Sequence, residues 1–219
     1  MCQLGKELWF YYGDRARLDN GVLIVYATLM NEKKLIWSEQ SRRKVFECKI
    51  FSVWESYCKS PASQGDDEPH VFSVIDTKDW VMVIPVIDGP EGRQFVMVRQ
   101  WRHGSQCLSL EFPGGVIEPG EKIENAALRE LREETGYVPG KIEKLGEFCP
   151  NPAIMSNKVH FFLAEELGVC GKQDLDDDEY VEAALVNTKD VFQGMGCEPY
   201  IHSLMGTALA LYNRKVQPH

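Results

Sequence analysis

An α+β fold is the expectation from this sequence, and three observations carry it. Strand-like and helix-like segments are interspersed without the regular strand–helix–strand alternation of a doubly wound sheet. A helix is marked over Ile123–Thr135, where Ile123, Ala127 and Leu131 recur four apart with Leu128 beside them. Residues 80–87 (WVMVIPVI) are apolar throughout, the pattern of a strand covered on both faces. With 219 residues, 44% hydrophobic and 26% charged, the chain has ordinary globular composition and can bury a core without staples.

The elements follow in order. Residues 1–35 hold an aromatic cluster at 9–12 and turn-like pieces at 13–14 and 19–21, and carry no chemistry that can be named. Residues 21–30 (GVLIVYATLM) form the longest near-apolar stretch. It falls short of the roughly 20 residues of a membrane span and lacks a small-residue cleavage site, so it reads as a strand. Val45, Phe46, Ile50, Phe51, Val53, Trp54 and Tyr57 make 44–57 a strand, and residues 59–69 (KSPASQGDDEP) a breaker loop. A second strand at 70–75 completes a small antiparallel pair ahead of the main domain. Strand 80–87, a turn at 88–92 and strand 94–99 follow. Gly136 stands where a left-handed cap would close the helix. Residues 159–164 and 181–186 read as strands, 174–179 as an acidic loop, and 201–212 as a helix with Leu204, Ala208 and Leu211 on one face. The expected organisation is an extension at 1–35, a β subdomain at 36–76 and the main domain at 77–219.

The net charge of −9, from 33 acidic against 24 basic residues, excludes a nucleic-acid coat and a polybasic membrane binder. Seven cysteines at irregular spacing, with no CxxC pair, signal free thiols in a reducing cytoplasm and no zinc site.

The informative stretch is 115–137, GVIEPGEKIENAALRELREETGY. Pro113-Gly114-Gly115 and Pro119-Gly120 form a loop where backbone can approach a ligand closely. The loop feeds the helix, on which Glu130, Glu133 and Glu134 converge on one side. Like charges at that spacing repel by about a few tenths of a kcal/mol per pair, and Arg129 can offset this by pairing with Glu133. Hard oxygen ligands of this kind suit Mg²⁺ or Mn²⁺, best with phosphate oxygens present.

The whole spacing is G-x5-E-x7-R-E-U-x-E-E-x-G-U, with U bulky and apolar or aromatic. Gly115, Glu121, Arg129, Glu130, Leu131, Glu133, Glu134, Gly136 and Tyr137 fill every defined position. In this the sequence resembles the Nudix hydrolase family. The resemblance implies an α/β/α sandwich with a mixed sheet, and Mg²⁺-dependent hydrolysis (Mn²⁺ as an alternative) of a nucleoside diphosphate linked to another moiety. It makes Glu130 and Glu134 the principal metal ligands, with Glu133 close by and the Gly114 carbonyl as a further ligand. Glu133 and Glu134 are also the catalytic carboxylates it implies. Glu121 would orient the helix residues, and Arg129 would lock loop to helix through a carboxylate pair.

Flanking residues narrow the branch. Residues 98–103 (VRQWRH) and 110–115 (LEFPGG) look like the pattern of ADP-ribose and nucleotide-sugar pyrophosphatases. Pro152, in the PNPA run at 150–153, is similar to a mark of the ADP-ribose branch. The strand pair is similar to a small sheet that many of these enzymes exchange across a homodimer. The resemblance covers roughly residues 40–212. It implies ADP-ribose or a related nucleotide sugar as substrate, with a nucleoside monophosphate and a sugar phosphate as products. Arg102 and Arg99 are candidates for phosphate contact, against ordinary strand-end charges. Glu111 is a candidate to brace the site or touch substrate. For the general base the acidic run 176–179 offers Glu179, with Glu182 second; the run lacks the spacing of a calcium hand. His103, His160 and His202 have no partner pattern and read as structural or surface. Trp37, Trp54 and Phe72 are candidates for base stacking, against packing roles. Two other readings stay open: a Nudix hydrolase of dinucleotide polyphosphates or nucleoside triphosphates, and a module that binds ADP-ribose without cleaving it.

Overall fold

The computed structural model describes residues 35–65, 67–90, 92–175 and 180–217, together with the backbone of β1 (Leu8–Trp9), β2 (Arg15–Asp19) and β3 (Val22–Tyr26). The chain divides into two compact units, Met1–Phe46 with Val53–Val74, and Glu47–Ser52 with Ile75–His219.

In the first, β1, β2 and β3 form an antiparallel sheet, β3 lying within the apolar stretch 21–30. A second three-stranded sheet has the order β4 (Ser38–Glu47), β5 (Phe51–Lys59), β6 (His70–Thr77). Residues 44–57, expected as one strand, are therefore parts of two. The chain reverses at 48–50, where the Cys48 amide donates to the Phe51 carbonyl at 3.0 Å. This turn contains neither glycine nor proline, so it left no mark among the apolar residues around it. All ten residues of β4 are exposed, and cross-strand side chains hold it rather than burial. Arg43 pairs with Glu55 at 2.6 Å, Ser56 donates to Glu39, and the Arg42 guanidinium lies 4.6 Å from the Trp54 ring centre. Trp37 packs edge-on to Phe72, with ring centres 5.1 Å apart.

The second unit is built on a mixed sheet. Its order is β10 (Tyr137–Phe148), β11 (Val159–Val169), β7 (Trp80–Gly89), β8 (Gly92–Arg102), β12 (Val181–Asn187), with β9 (Cys107–Glu111) also paired to β8. The β11–β7 pair is parallel and the other pairs are antiparallel. Alternate residues of β7 and β11 face opposite layers, as a period of two requires. Val81, Val83, Phe162 and Ala164 pack on Ala126, Ala127 and Leu131 of α1 (Ile123–Thr135). Met82, Ile84, Phe161 and Leu163 share the other core with Val191 of α2 (Thr188–Gly194) and with Met205, Ala208 and Leu209 of α3 (Ser203–Val216). Helices on both faces make an α/β/α sandwich, and this explains why 80–87 is apolar without alternation.

The structure adds β1, β2, β9, β10 and α2 to the elements expected. In β10, Pro139, Gly140 and Gly146 read as breakers, yet the strand lies at the sheet edge, where a missing ladder hydrogen bond is tolerated, and it bulges between Lys144 and Gly146.

The site is positioned by a fork in this sheet. β7 pairs with β8 only over Val86–Gly89. Below that it turns to the 113–117 segment: Val83 N–H donates to Pro113 O and Val81 N–H to Gly115 O, each at 2.9 Å, and Trp80 bridges Val116. The far half of β8 pairs with β9, which runs directly into 113–117. That segment is thereby laid along α1.

Gly136 ends α1 at φ 72°, its N–H donating to Arg132 O at 2.8 Å. A Cβ there would lie 2.7 Å from the Gly171 carbonyl oxygen. Gly136→Ala is expected to cost about 1–3 kcal/mol through the left-handed backbone and this contact, measured by urea denaturation.

Candidate active site

Helix α1 turns its alanine and leucine stripe to the sheet and its glutamates toward the 113–117 segment. Glu130 and Glu134 are 7% and 3% exposed, so they are not a solvated acidic face. Taking carboxylates out of water costs several kcal/mol unless partners compensate, and the partners are in place. Gly114 N–H donates to Glu134 Oε2 at 2.8 Å. Arg129 donates from Nη1 to Glu130 Oε1 at 2.9 Å and to Glu133 Oε2 at 3.2 Å. Its Nε and Nη2 grip both oxygens of Glu121 at 3.0 Å, and Nη2 also reaches the Val116 carbonyl at 3.0 Å. One guanidinium thus ties three glutamates and the loop backbone together. Its hydrogen bonds hold the Glu121 carboxyl below the usual carboxylate range.

The two glycines of the loop are there because no side chain fits. A Cβ on Gly115 would come within 2.6 Å of the Glu130 carboxyl carbon, and one on Gly114 within 2.9 Å of Met82 Cα. Because β7 takes the carbonyls of Pro113 and Gly115, the polar edge of Gly114 is turned the other way, its N–H toward Glu134. In extended backbone the N–H and C=O of one residue leave on the same edge. Among the described residues no three His, Cys, Asp or Glu side chains already converge as a closed ligand set. What is present is a buried carboxylate pair beside a backbone edge too close for any Cβ. Those donors fit a hard divalent cation that shares its coordination with water and substrate oxygens.

The other residues singled out in the sequence divide into groups. Arg102 donates to both oxygens of Glu111, at 2.8 and 2.5 Å. Glu111 is fully buried. Burial pushes its carboxyl up, and the Arg102 guanidinium outweighs this and keeps it below the ordinary range. The Glu111 hydrogen bonds, with a smaller contribution from the charge of Glu134, favour the charged Arg102 guanidinium. Arg99, three residues earlier on β8, leaves from the opposite face and lies 3.8 Å from Glu182, whose side chain is 74% exposed. Pro152 stands on the exposed turn closed by Ile154 and Met155 N–H on Asn151 O. Glu179 lies outside the described residues. The segment before it is tied to the end of α1, with Gln173 donating to Glu134 O and Asp174 N–H to Glu133 O. His160 is buried between Asp79 at 3.3 Å and Glu147 at 3.4 Å.

A cleft of about 510 Å³ opens between β9 and the start of α3, lined by Trp101, Arg102, Ser109, Glu111, Ile201 and His202. His202 Nδ1 accepts the Leu204 N–H at 3.2 Å and caps α3, while Nε2 lies 3.8 Å from Glu111. Burial pushes the His202 imidazole below its ordinary value, with Glu111 opposing. Ser109 and His202 carry no motif, and only the tertiary fold brings them to this cleft.

A NUDIX domain matches residues 77–201, more than half of the chain. This chain is a Nudix hydrolase. It is 35% identical over 163 residues to an ADP-ribose pyrophosphatase of Bacillus subtilis (strain 168), covering 74% of this chain and 82% of that one. It is 42% identical over 83 residues to an ADP-sugar pyrophosphatase of Mus musculus, 37% of this chain and 38% of the mouse protein. In fold, the Nudix hydrolase resembles a crystal structure of an ADP compounds hydrolase, with a TM-score of 0.70 at 20% identity over 82% of this chain and 94% of the other. Among its described residues no helix is long and apolar enough to cross a membrane.

Proposed function

We propose that this Nudix hydrolase cleaves the pyrophosphate bond of ADP-ribose or a related nucleoside diphosphate sugar. Water adds to one phosphorus, the bridging P–O bond breaks, and a nucleoside monophosphate and a sugar phosphate leave. The observation that carries the reaction is the buried pair Glu130 and Glu134 against the Gly114–Gly115 backbone. The likeness to the Bacillus subtilis ADP-ribose pyrophosphatase over most of the chain supports the substrate class.

Glu130, Glu134 and the Gly114 carbonyl would hold Mg²⁺, with Glu133 beside them; Mn²⁺ would suit the same oxygen donors. When bound, the cation polarises phosphoryl oxygens and acidifies its water. Arg129 and Glu121 fix the helix carboxylates, and Gly115 and Gly136 keep loop and helix end in register. Arg102, oriented by Glu111, contacts a phosphate. Arg99, engaged with Glu182, and Pro152, on its exposed turn, are outer contacts of the same substrate. We assign proton acceptance to Glu179 and, with it, Glu133 and Glu134 as the catalytic carboxylates. Residues 36–76 form the interface of a cytoplasmic homodimer, for which the exposed Ile36, Trp37 and Phe72 provide apolar surface. A monomeric mass by light scattering would remove that assignment.

The test is a screen of ADP-ribose, GDP-mannose, UDP-glucose, diadenosine polyphosphates and nucleoside triphosphates with Mg²⁺, products identified by mass. AMP and ribose 5-phosphate from ADP-ribose are expected. Preference for a polyphosphate would replace this reading with the alternative substrate class. Arg129→Lys keeps the charge but loses the fork that reaches Glu121, Glu130 and Val116 O together. It is expected to weaken the Mg²⁺ dependence of turnover or its maximum by about 10–100-fold, read by metal titration.

A further inference from the structure

We infer that Gln173 is a positioning residue for the metal-binding carboxylates, its side-chain amide pinning the last turn of α1, and with it Glu134, to the first residue of β12. The inference rests on the reading of Glu130 and Glu134 as metal ligands and adds a residue, outside the spaced pattern, that keeps them in register.

The end of α1 is closed by a distant segment. A helix leaves its last four carbonyls without partners of its own. In α1 these belong to Glu133, Glu134, Thr135 and Gly136. The chain leaving β11 lies along them. Cys170 N–H donates to Gly136 O and Asp174 N–H to Glu133 O, each at 2.9 Å, and the Gln173 amide donates to Glu134 O. Gly171 packs on the same end, its carbonyl oxygen 2.7 Å from where a Gly136 Cβ would stand. Two of these bonds fall on the backbone of Glu133 and Glu134 themselves.

Gln173, which is half-buried, does more than cap the helix. Its Nε2 also donates to the Val181 carbonyl at 3.2 Å. Both partners are carbonyl oxygens, so only the nitrogen end of the amide can face them. Val181 opens β12 and pairs with Gln100 of β8. One planar amide therefore links the last turn of the helix to the sheet.

That link matters because of where the carboxylates stand. Glu130 lies a turn further in, within the regular helix. Glu134 lies one residue short of the end, where helices fray. Two ligands can share one small hard cation only while the last turn keeps its place on the turn before it, to within about 0.5 Å. The Gly114 N–H holds the Glu134 carboxylate at one end of the residue, and Gln173 holds its carbonyl at the other.

The experiment uses the full chain as wild type, Gln173→Met and Gln173→Glu. Methionine keeps the length and loses both donors. Glutamate keeps the shape and sets a second oxygen against the two carbonyls. Hydrogen exchange without metal, followed by mass spectrometry at pH 7, is expected to quicken about tenfold in the last turn of α1 in Gln173→Met, and further in Gln173→Glu, with the middle of α1 unchanged. Affinity for Mn²⁺, read from the electron paramagnetic resonance signal of the free ion, is expected to fall about tenfold in Gln173→Met, which alters no charge. Faster exchange with wild-type Mn²⁺ affinity makes Gln173 a helix cap only and overturns the inference. Exchange unchanged in both variants overturns it equally. A wild type that binds Mn²⁺ no better than Glu134→Gln does overturns the metal reading and this inference together.

Discussion

Glu134→Gln is expected to lower kcat on ADP-ribose by about 10³-fold or more while leaving the fold intact. The two parts of that result have separate causes. Glu134 Oε2 accepts the Gly114 N–H at 2.8 Å, and an amide oxygen can take over that bond. The side chain is 3% exposed, and exchanging a buried carboxylate for an isosteric neutral group removes a desolvation cost, so Tm holds or rises. What the amide cannot do is supply negative charge to a cation on the phosphoryl oxygens. Losing about 4 kcal/mol of transition-state stabilisation corresponds to about 10³-fold in rate. Turnover at the wild-type level in saturating Mg²⁺ would refute the assignment of Glu134 as a metal ligand.

Arg102→Leu is expected to be the most destabilising single change in the site, by about 2–4 kcal/mol in urea denaturation at pH 7. Glu111 is fully buried and its compensation comes chiefly from the Arg102 fork; the figure sits below the full cost of breaking a buried pair because Arg102 is itself 41% exposed. The pH dependence makes the cause recognisable. In the wild type the folded Glu111 pKa is depressed, so its contribution is present above the unfolded carboxylate pKa and lost as pH falls through the folded value. In the variant burial acts unopposed and raises that pKa. The carboxylate then carries a penalty at neutral pH that disappears as the group protonates. The gap between wild type and variant must therefore shrink as pH falls from 7 toward 4. Adding Glu111→Gln to the Arg102→Leu background should recover most of the loss. A gap that is flat with pH, or a double variant no better than the single one, would show that Arg102 acts by packing alone.

Both predictions rest on residues that differ in how visible they were. Glu134 stands in a long spaced pattern, and α1 was legible to its last residue because an apolar stripe and a glycine cap agree there. Local chemistry of that kind is written in consecutive residues. β10 was not legible, because its Pro139 and Gly140 are tolerated only at a sheet edge, and edge position is a property of the assembled sheet. The division of 44–57 into β4 and β5 was hidden for a related reason: the turn at 48–50 is closed by a backbone hydrogen bond, not by a turn-forming residue. Arg99 and Arg102 looked alike as neighbouring strand-end arginines. The three-residue spacing on β8 sends them to opposite faces, one to Glu182 and one to Glu111.

Four features were written in nearby residues: the α+β class, helix α1 with the glycine loop before it, the family, and the gathering of glutamates on that helix. All of these depend on residue types at short, fixed separations. Three further features come only with the folded chain: Glu130 and Glu134 are buried, Gly114 and Gly115 are glycines because β7 and Glu130 leave no room for a Cβ, and Ser109, Glu111 and His202 share one cleft. Burial and proximity between distant segments arise when the sheet forks and the helices close on both faces, and no local spacing encodes them.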